Sequence, residues 1–336
     1  MIKGKAPELV LSRSVIKNIT SKRKDTAHAR VGADASAVKT NGRIVIYKTS
    51  GVVDYIDNDI EYYTFYKVYN SMLAEKAIPV AMELNILLPL DAKEKDIKSI
   101  VGEYDALCKN HNMEITGGNT QVTDAVNRIV TTVTMIGFAD EEKKVCADRM
   151  KQEACVDENG ETDICIIMTK AIGIEGTAVI AHSHLQLLRD RFNGRFCDEC
   201  LTFKEYISVE KECLALRDSD EVVMHDASST GVYGAIWEMA GFFGMGAKVD
   251  LKKIPVWQET VEVTELFDIN PYKMTSSGAL LIATRTPGSV MEKLKEQEIP
   301  ATIIGKLTTT NDKILVNNDE VRYLEQPRGD DIYKIK

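Results

Sequence analysis

The feature that most constrains the fold is a pair of adjacent glycines followed by a β-branched segment. Gly117 and Gly118 lie within residues 116–121, and residues 128–137 behind them are rich in valine, isoleucine and threonine. Adjacent glycines allow a tight turn whose N–H groups face an anion, and β-branched residues favour a strand. The pattern predicts a glycine turn before a rigid strand, and the turn is either a phosphate-binding loop or only a turn.

The charge balance argues against nucleic acid and anionic membranes as partners. The 336 residues carry 51 Asp and Glu against 42 Lys and Arg, a net charge of −9 at pH 7, so the chain repels polyanions. No apolar run approaches the roughly 20 residues that span a bilayer, and the first residues have no apolar signal segment. We therefore expect a cytoplasmic protein.

The chain is long enough for two domains. Residues 140–163 form a charged, weakly patterned segment between two halves with regular apolar patterns. In the first half, strands predicted over 43–49 and 80–88 mix with helices, which indicates an α+β layer. The predicted helices of this half cover residues 6–20, 60–76 and 93–112. We place the boundary in the charged segment and predict domains at residues 1–145 and 160–336.

Two segments of the second half combine turn residues with the start of a predicted helix. Gly173 follows a predicted strand, and the helix amides behind it can bind an anion or simply begin a tight connection. Asp226 and Ser228 precede a helix predicted over 232–243. There they can hold a cation and phosphate oxygens, or cap the helix.

The seven cysteines follow no disulfide framework and indicate reduced thiols. Cys197 and Cys200 are three residues apart, with His182 and His184 upstream. Both segments have helical patterns, and nothing in these patterns brings the four side chains together at one site. We therefore do not expect a zinc or redox site.

Eight motifs occur in an order that resembles a known superfamily. They are residues 32–38 with Asp34, 47–50, 69–71 with Asn70, 77–79, 116–122, 172–177, 224–226 with 237–240, and 276–279. In this order they resemble the aminoimidazole ribonucleotide (AIR) synthase superfamily. The resemblance is closest to its AIR-synthase-related branch, which is similar to the hydrogenase expression/formation protein HypE.

The resemblance implies a PurM-like α+β fold with two domains. The sheet of the N-terminal α+β domain would join that of a second subunit in a β-barrel across a homodimer, and the C-terminal domain would be α/β. It also implies ATP in the cleft between domains and subunits, Mg²⁺ on aspartates, and phosphorylation of an amide-type oxygen of a small molecule. From the matching positions, the resemblance implies that Asp34 and Asp226 bind Mg²⁺. It implies that the nucleotide or phosphate is contacted by Asn70, Gly117, Gly118, Asn119, Thr120, Gly173, His225 and Ser228.

The chain departs from the superfamily at its acidic positions. Neutral side chains stand where the pattern has acidic or metal-binding residues, namely at Ser50, Ser71, Asn119, Gln121 and Ser229. Mg²⁺ prefers carboxylate and phosphate oxygens, so metal affinity should fall. An anion can still bind through backbone amides, and less carboxylate repulsion opposes it.

Two functions therefore remain open. In the first, the protein binds ATP or another phosphate ligand and is weakly active or inactive in phosphoryl transfer. In the alternative, it is an active ATP- and Mg²⁺-dependent enzyme. Carbamoyl dehydration of the HypE kind, by resemblance, uses a C-terminal cysteine, whereas the last cysteine here is Cys213, so we do not expect that reaction.

Overall fold

The protein has an α+β fold built on two sheets. The computed structural model describes residues 3, 5–6, 8–20, 23–27, 33–40 and 42–335. The first sheet contains β1 (Ser36–Lys39), β2 (Ile44–Thr49), β3 (Ile78–Leu88), β4 (Glu114–Val122) and β5 (Val130–Ala139). The second contains β6 (Glu161–Thr169), β7 (Val222–Asp226), β8 (Gly246–Asp250), β9 (Leu280–Thr284), β10 (Ala301–Thr308), β11 (Lys313–Asn317) and β12 (Glu320–Tyr323). The strand orders are β1-β2-β5-β3-β4 and β12-β11-β8-β10-β6-β9-β7.

Helices cover both sheets. They are α1 (Glu8–Val10), α2 (Ile60–Ala74), α3 (Glu94–Asn110), α4 (Lys143–Glu153), α5 (Ile174–Ser183), α6 (Leu185–Arg191), α7 (Gly194–Thr202), α8 (Glu210–Leu216), α9 (Gly231–Phe243), α10 (Gln258–Leu266) and α11 (Pro287–Glu296). Within the ranges given above, no helix is long and apolar enough to cross a membrane.

The aromatic helix α2 connects the two halves of the molecule. Its Phe65 and Met72 are fully buried, and they belong to one apolar core that also contains Leu84 of β3 and Met224 of β7. The predicted helix over 60–76 is therefore confirmed as a packing element. Because both sheets contribute to the same core, the cleft between the halves has fixed walls.

Strand β5 confirms the prediction from the β-branched run. Its residues alternate between half-buried and buried along its whole length, as expected for a strand in the middle of a sheet. The predicted helix over 6–20 is wrong in its type. Three residues of α1 are followed by a π-helix at Leu11–Val15 and a 3₁₀-helix at Ile16–Asn18.

The predicted glycine turn is also wrong, because residues 116–121 lie inside strand β4. This strand pairs in parallel with β3 at the edge of the sheet, with a register shift opposite Met82 and Glu83. Gly118 adopts φ +144°, and a Cβ atom there would lie 1.8 Å from the carbonyl oxygen of Leu84. The glycine is needed for close approach of two strands, which a sequence pattern cannot distinguish from a turn.

The two adjacent glycines should respond differently to alanine. We expect Gly118→Ala to lower the free energy of unfolding by about 2 kcal/mol or more, because the new methyl meets the β3 backbone at an unfavourable φ. Gly117→Ala is the matched control: apart from its chain neighbours, no described residue has an atom within 4 Å of its Cβ position, so its effect should stay within about 0.5 kcal/mol. Urea unfolding of both variants measures the difference, and equal losses would contradict the strand assignment.

Candidate functional site

A buried ionic cluster lies where the N-terminal segment, α4 and β7 meet. Asp34 accepts a hydrogen bond from Lys143 Nζ, and His225 Nδ1 lies 2.8 Å from Oδ1 and 2.9 Å from Oδ2 of the same carboxylate. His225 Nε2 lies 3.4 Å from Glu238 Oε2, and Glu238 also pairs with Lys5. The side chains alternate in charge through the cluster, so each buried ion has an opposite charge beside it.

These contacts set the protonation of the cluster. Burial opposes ionisation of Asp34, but the charges of His225 and Lys143 outweigh it and hold the pKa of the carboxyl well below its usual range. Burial also opposes the charged form of His225, but Asp34 raises the pKa of this histidine to about 9. At neutral pH the cluster therefore contains an aspartate, a lysinium and an imidazolium ion.

Asp226 follows His225 in β7 and has a different environment. Both of its carboxylate oxygens are buried, and neither has a hydrogen-bond partner among the described residues. Burial and the nearby charge of Asp34 raise the pKa of Asp226 to about 7. Near neutral pH this carboxyl group thus exchanges a proton, and its oxygens are available to a ligand.

Replacement of Asp226 should make the protein more stable in a pH-dependent way. A carboxyl whose pKa is raised from 3.8 to about 7 destabilises the folded state progressively as pH rises through that interval. We expect Asp226→Asn to raise the free energy of unfolding by roughly 1–3 kcal/mol near pH 8 and to change it little near pH 4. Urea unfolding at the two pH values checks this. The exposed Asp91→Asn serves as control, and a pH-independent difference would contradict the assignment.

A second ionic network joins helix α2 of the first half to helix α5 of the second. Glu175 is fully buried, and its carboxylate lies 3.0 Å from Lys67 Nζ. Thr275 Oγ1 donates to Oε2 at 2.6 Å, and the Tyr55 hydroxyl donates to Oε1. Burial opposes its ionisation, but Lys67 outweighs this and lowers the pKa of Glu175. The network holds the two halves together across the cleft.

The cleft between the halves has a volume of about 460 Å³, in the range of small-molecule sites. Its wall is formed by the end of β2 and the following loop, by α2, by the segment before α9 and by the C-terminal segment. The polar side chains that line it are Lys5, Lys48, Thr49, Ser50, Asp54, Tyr55, Lys67, Ser71, Ser228, Ser229 and Tyr333. Three lysines face one aspartate, so the lining is cationic although the protein as a whole is acidic.

Ion pairs already neutralise most of the charges at the cleft. Lys5 pairs with Glu238 and Lys67 with Glu175, while Asp54 lies 3.1 Å from Lys3 Nζ. Lys48 differs: as far as the chain is described, its ammonium has no carboxylate within 4.0 Å. Burial lowers the pKa of Lys48. The cleft thus carries an unpaired positive charge at the end of β2.

The predicted site residues divide into three groups. Ser228 lines the cleft, together with Ser50, Ser71 and Ser229 at the changed acidic positions. Asp34, Asp226 and His225 lie together near one end of β7, and Asp34 and Asp226 are both close enough to Lys48 to act on its charge. The others lie outside this group: Asn70, Gly117, Gly118, Asn119, Thr120 and Gly173.

Asn70 and Gly173, two of these outlying residues, have structural contacts instead. Asn70 Nδ2 donates to the Ile207 carbonyl at 2.8 Å, and its Oδ1 accepts from the Val209 N–H. The Gly173 N–H donates to Ser276 Oγ at 2.9 Å. Asn119 lies on the edge strand β4 with Gly117, Gly118 and Thr120, where all four are exposed and none lines the cleft.

Sequence patterns alone did not point to the lysines. Lys48 lies inside one of the recognised motifs but in a strand, and Lys67 lies on a helix notable for its aromatic residues. Lys143 begins α4 within the segment that was predicted to separate the domains. Cys197 and Cys200 are free and buried on α7, in agreement with the expectation of reduced thiols.

The described residues do not fit a carboxylate-bound Mg²⁺ ion. Both oxygens of Asp34 are occupied by Lys143 and His225, which leaves Asp226 as the predicted ligand with unused oxygens. In the part of the chain that is described, no group of three or more His, Cys, Asp or Glu side chains can hold a metal ion. Protein-bound Mg²⁺ is held by one or two carboxylates together with phosphate oxygens and water, and here one of the two predicted carboxylates, Asp34, is already engaged by cations.

The fold and the site agree with one protein family. Residues 32–139 match the AIR synthase related protein, N-terminal domain, and residues 163–317 match the AIR synthase related protein, C-terminal domain. The chain belongs to the AIR synthase related family. Within it, the chain falls in the branch similar to the hydrogenase expression/formation proteins. It is 23% identical over 274 residues to a Methanocaldococcus jannaschii protein that bears this name, covering 79% of this chain and 76% of that protein.

Solved structures share the fold at low sequence identity. AaThiL complexed with AMPPCP and TMP superposes with a TM-score of 0.68 at 14% identity, covering 96% of each chain. The hydrogenase maturation protein HypE in complex with ATP superposes with a TM-score of 0.64 at 14% identity, covering 98% of this chain and 97% of that one. The PurM-like two-domain α+β architecture is therefore confirmed.

Proposed function

We propose that the cleft between the two halves binds ATP or another phosphate ligand and supports weak phosphoryl transfer or none. The observation that carries this is the lining of the cleft, which contains three lysines and has serine hydroxyls at positions expected to be acidic. Lysine is a common phosphate-binding residue. Proteins of the same fold have been crystallised with ATP or AMPPCP, which supports a nucleotide as the first candidate.

Weak or absent phosphoryl transfer follows from the carboxylates that the site lacks. Transfer from ATP needs divalent metal to neutralise charge that develops on the phosphate oxygens. Asp34 is engaged by Lys143, and serines stand at three other expected acidic positions near the cleft: Ser50, Ser71 and Ser229. The unused oxygens of Asp226 favour the alternative, an active ATP- and Mg²⁺-dependent enzyme.

A homodimer is also part of the proposal. Among the described residues, strand β4 pairs on one side only, and it is exposed along most of its nine residues, with Val122 59% exposed at its end. A long open edge is a natural place for a second strand to pair. Pairing of two such sheets would bury the glycine-containing strand and bring it towards the neighbouring subunit. Sedimentation velocity tests this, and a monomer at all concentrations would contradict it.

Thermal denaturation with nucleotides tests the binding function. We expect ATP, ADP or AMPPCP to raise the unfolding temperature, because a ligand at 100 times its Kd stabilises the folded state by about 2.7 kcal/mol. Release of phosphate from ATP, measured in parallel with Mg²⁺, tests the enzymatic alternative. Stabilisation without turnover supports a binding protein; rapid turnover that Asp226→Asn abolishes supports the enzyme. Absence of any stabilisation with or without Mg²⁺ would overturn the proposal.

A further inference from the structure

We propose that the ammonium group of Lys48 takes the place of a divalent cation in this cleft, so that the protein binds a phosphate monoester without metal. The inference rests on the proposed function and adds to it the class of ligand and the group that holds it. It begins from a disagreement: the family pattern implies Mg²⁺, whereas the carboxylates described here do not fit it.

Lys48 lies where it can contact a ligand in the cleft. It lies in β2, directly before Thr49 and Ser50, and all three side chains line the cleft. The Lys48 side chain is half-buried and makes no ion pair within 4.0 Å with a described residue, so the charges of Asp34, Glu238 and Asp226 act on it only from a distance. A partly desolvated ammonium without a counter-ion is unfavourable, and a bound anion would remove that cost.

The carboxylates near the cleft do little to repel an entering anion. Asp54, the aspartate in the lining, pairs with Lys3. Glu238 and Glu175, outside the lining, pair with Lys5 and Lys67. An entering anion therefore meets little uncompensated negative charge at the cleft. Asp226 lies deeper, is 4% exposed and is not part of the lining.

Hydroxyl groups on the opposite wall complete the site. Ser228 and Ser229 line the cleft, and among the described residues neither hydroxyl makes a hydrogen bond. Both stand just before the N-terminus of α9, a 13-residue helix whose dipole favours negative charge there. The Ser50 hydroxyl already accepts from the Val133 N–H and the Ser71 hydroxyl donates to the Lys67 carbonyl, so these two are less available.

The charge of the site indicates the class of ligand. Within the described part of the lining, one lysine without an ion pair and two hydroxyls without hydrogen bonds match a group with one or two negative charges and several acceptor oxygens. A phosphate monoester has these properties. A triphosphate carries about four charges and normally needs Mg²⁺ to offset them, so it should bind this cleft less well when metal is absent.

Calorimetric titration with AMP and with ATP, each with Mg²⁺ and with EDTA, tests the inference. We expect AMP to bind equally well in EDTA and in Mg²⁺, and Lys48→Gln to weaken AMP binding by about tenfold or more. Lys48→Arg should retain most of the affinity because it keeps the charge. Lys95→Gln, at an exposed lysine of α3, is the matched control and should bind like the parent protein.

The possible outcomes separate the two proposals. Binding of AMP or ATP only in the presence of Mg²⁺ would overturn the metal-independent site and leave the proposed function intact. The metal-independent site would also be overturned, with the proposed function intact, if Lys48→Gln bound AMP as tightly as the parent protein and its unfolding temperature showed that it is folded. No binding of either nucleotide under any condition would overturn both. Weaker AMP binding at higher salt is a further expected result, since the contact is between charges.

Discussion

Replacement of Lys143 by methionine is expected to lower the free energy of unfolding by about 3–5 kcal/mol. The Lys143 side chain is 4% exposed; it contacts Asp34 and lies 3.5 Å from Glu75. Methionine of similar length removes the ammonium group from beside Asp34 and Glu75, so that His225 is the remaining cation in contact with Asp34 among the described residues. The loss of one partner from a buried ionic group is costly because the remaining charge cannot regain water.

Urea unfolding at neutral pH measures this effect. Lys98→Met is the matched control, because the Lys98–Glu94 pair on α3 is more than three-quarters exposed on both sides and contributes about 0.5 kcal/mol or less. Adding Asp34→Asn to Lys143→Met should recover part of the lost stability, since it removes a buried negative charge that Lys143 no longer neutralises. Similar losses for Lys143→Met and Lys98→Met would contradict the buried cluster.

Replacement of Glu175 by glutamine is the second change with a large expected effect. Glu175 is completely buried and pairs with Lys67, whose side chain is 15% exposed. The amide keeps the size of the side chain but leaves Lys67 without its counter-ion. We expect the free energy of unfolding to fall by roughly 2–4 kcal/mol. Equilibrium unfolding measures it, with Glu199→Gln as control, because the Glu199 side chain is 44% exposed and its partner Arg195 is 88% exposed.

The same variant should affect ligand binding in the opposite direction. Without Glu175, the ammonium of Lys67 becomes an additional unpaired charge in the cleft lining. We therefore expect Glu175→Gln to bind AMP more tightly than the parent protein while being less stable. A variant that loses both stability and AMP affinity would indicate that Glu175 only supports the architecture of the cleft.

Local sequence patterns predicted the elements that depend on local burial. The β-branched strand β5 and the aromatic helix α2 are formed by residues whose apolar spacing is visible within ten to fifteen positions. Strand β4 was predicted as a turn because its identity depends on parallel pairing with β3, about thirty residues earlier in the chain. Glycines have the same freedom in a turn and at a close strand contact.

The candidate site was predictable to the extent that family motifs mark it. Ser50, Ser71 and Ser228 were found in this way, and all three line the cleft. The ionic cluster was not predictable, because Lys143 and Asp34 are 109 residues apart and His225 and Asp34 are 191 apart. No pattern within a segment shows which distant charges will meet. The importance of Lys48 likewise depends on which neighbouring carboxylates are already paired.

A crystal structure of the protein grown with AMP and EDTA would test the central claim most directly. We predict that the phosphate group lies in the cleft between the halves, within hydrogen-bonding distance of Lys48 Nζ and of a hydroxyl of Ser228 or Ser229. No metal ion would lie beside it. A phosphate bound instead along strand β4, or one held by a metal ion on Asp226 away from Lys48, would contradict the claim.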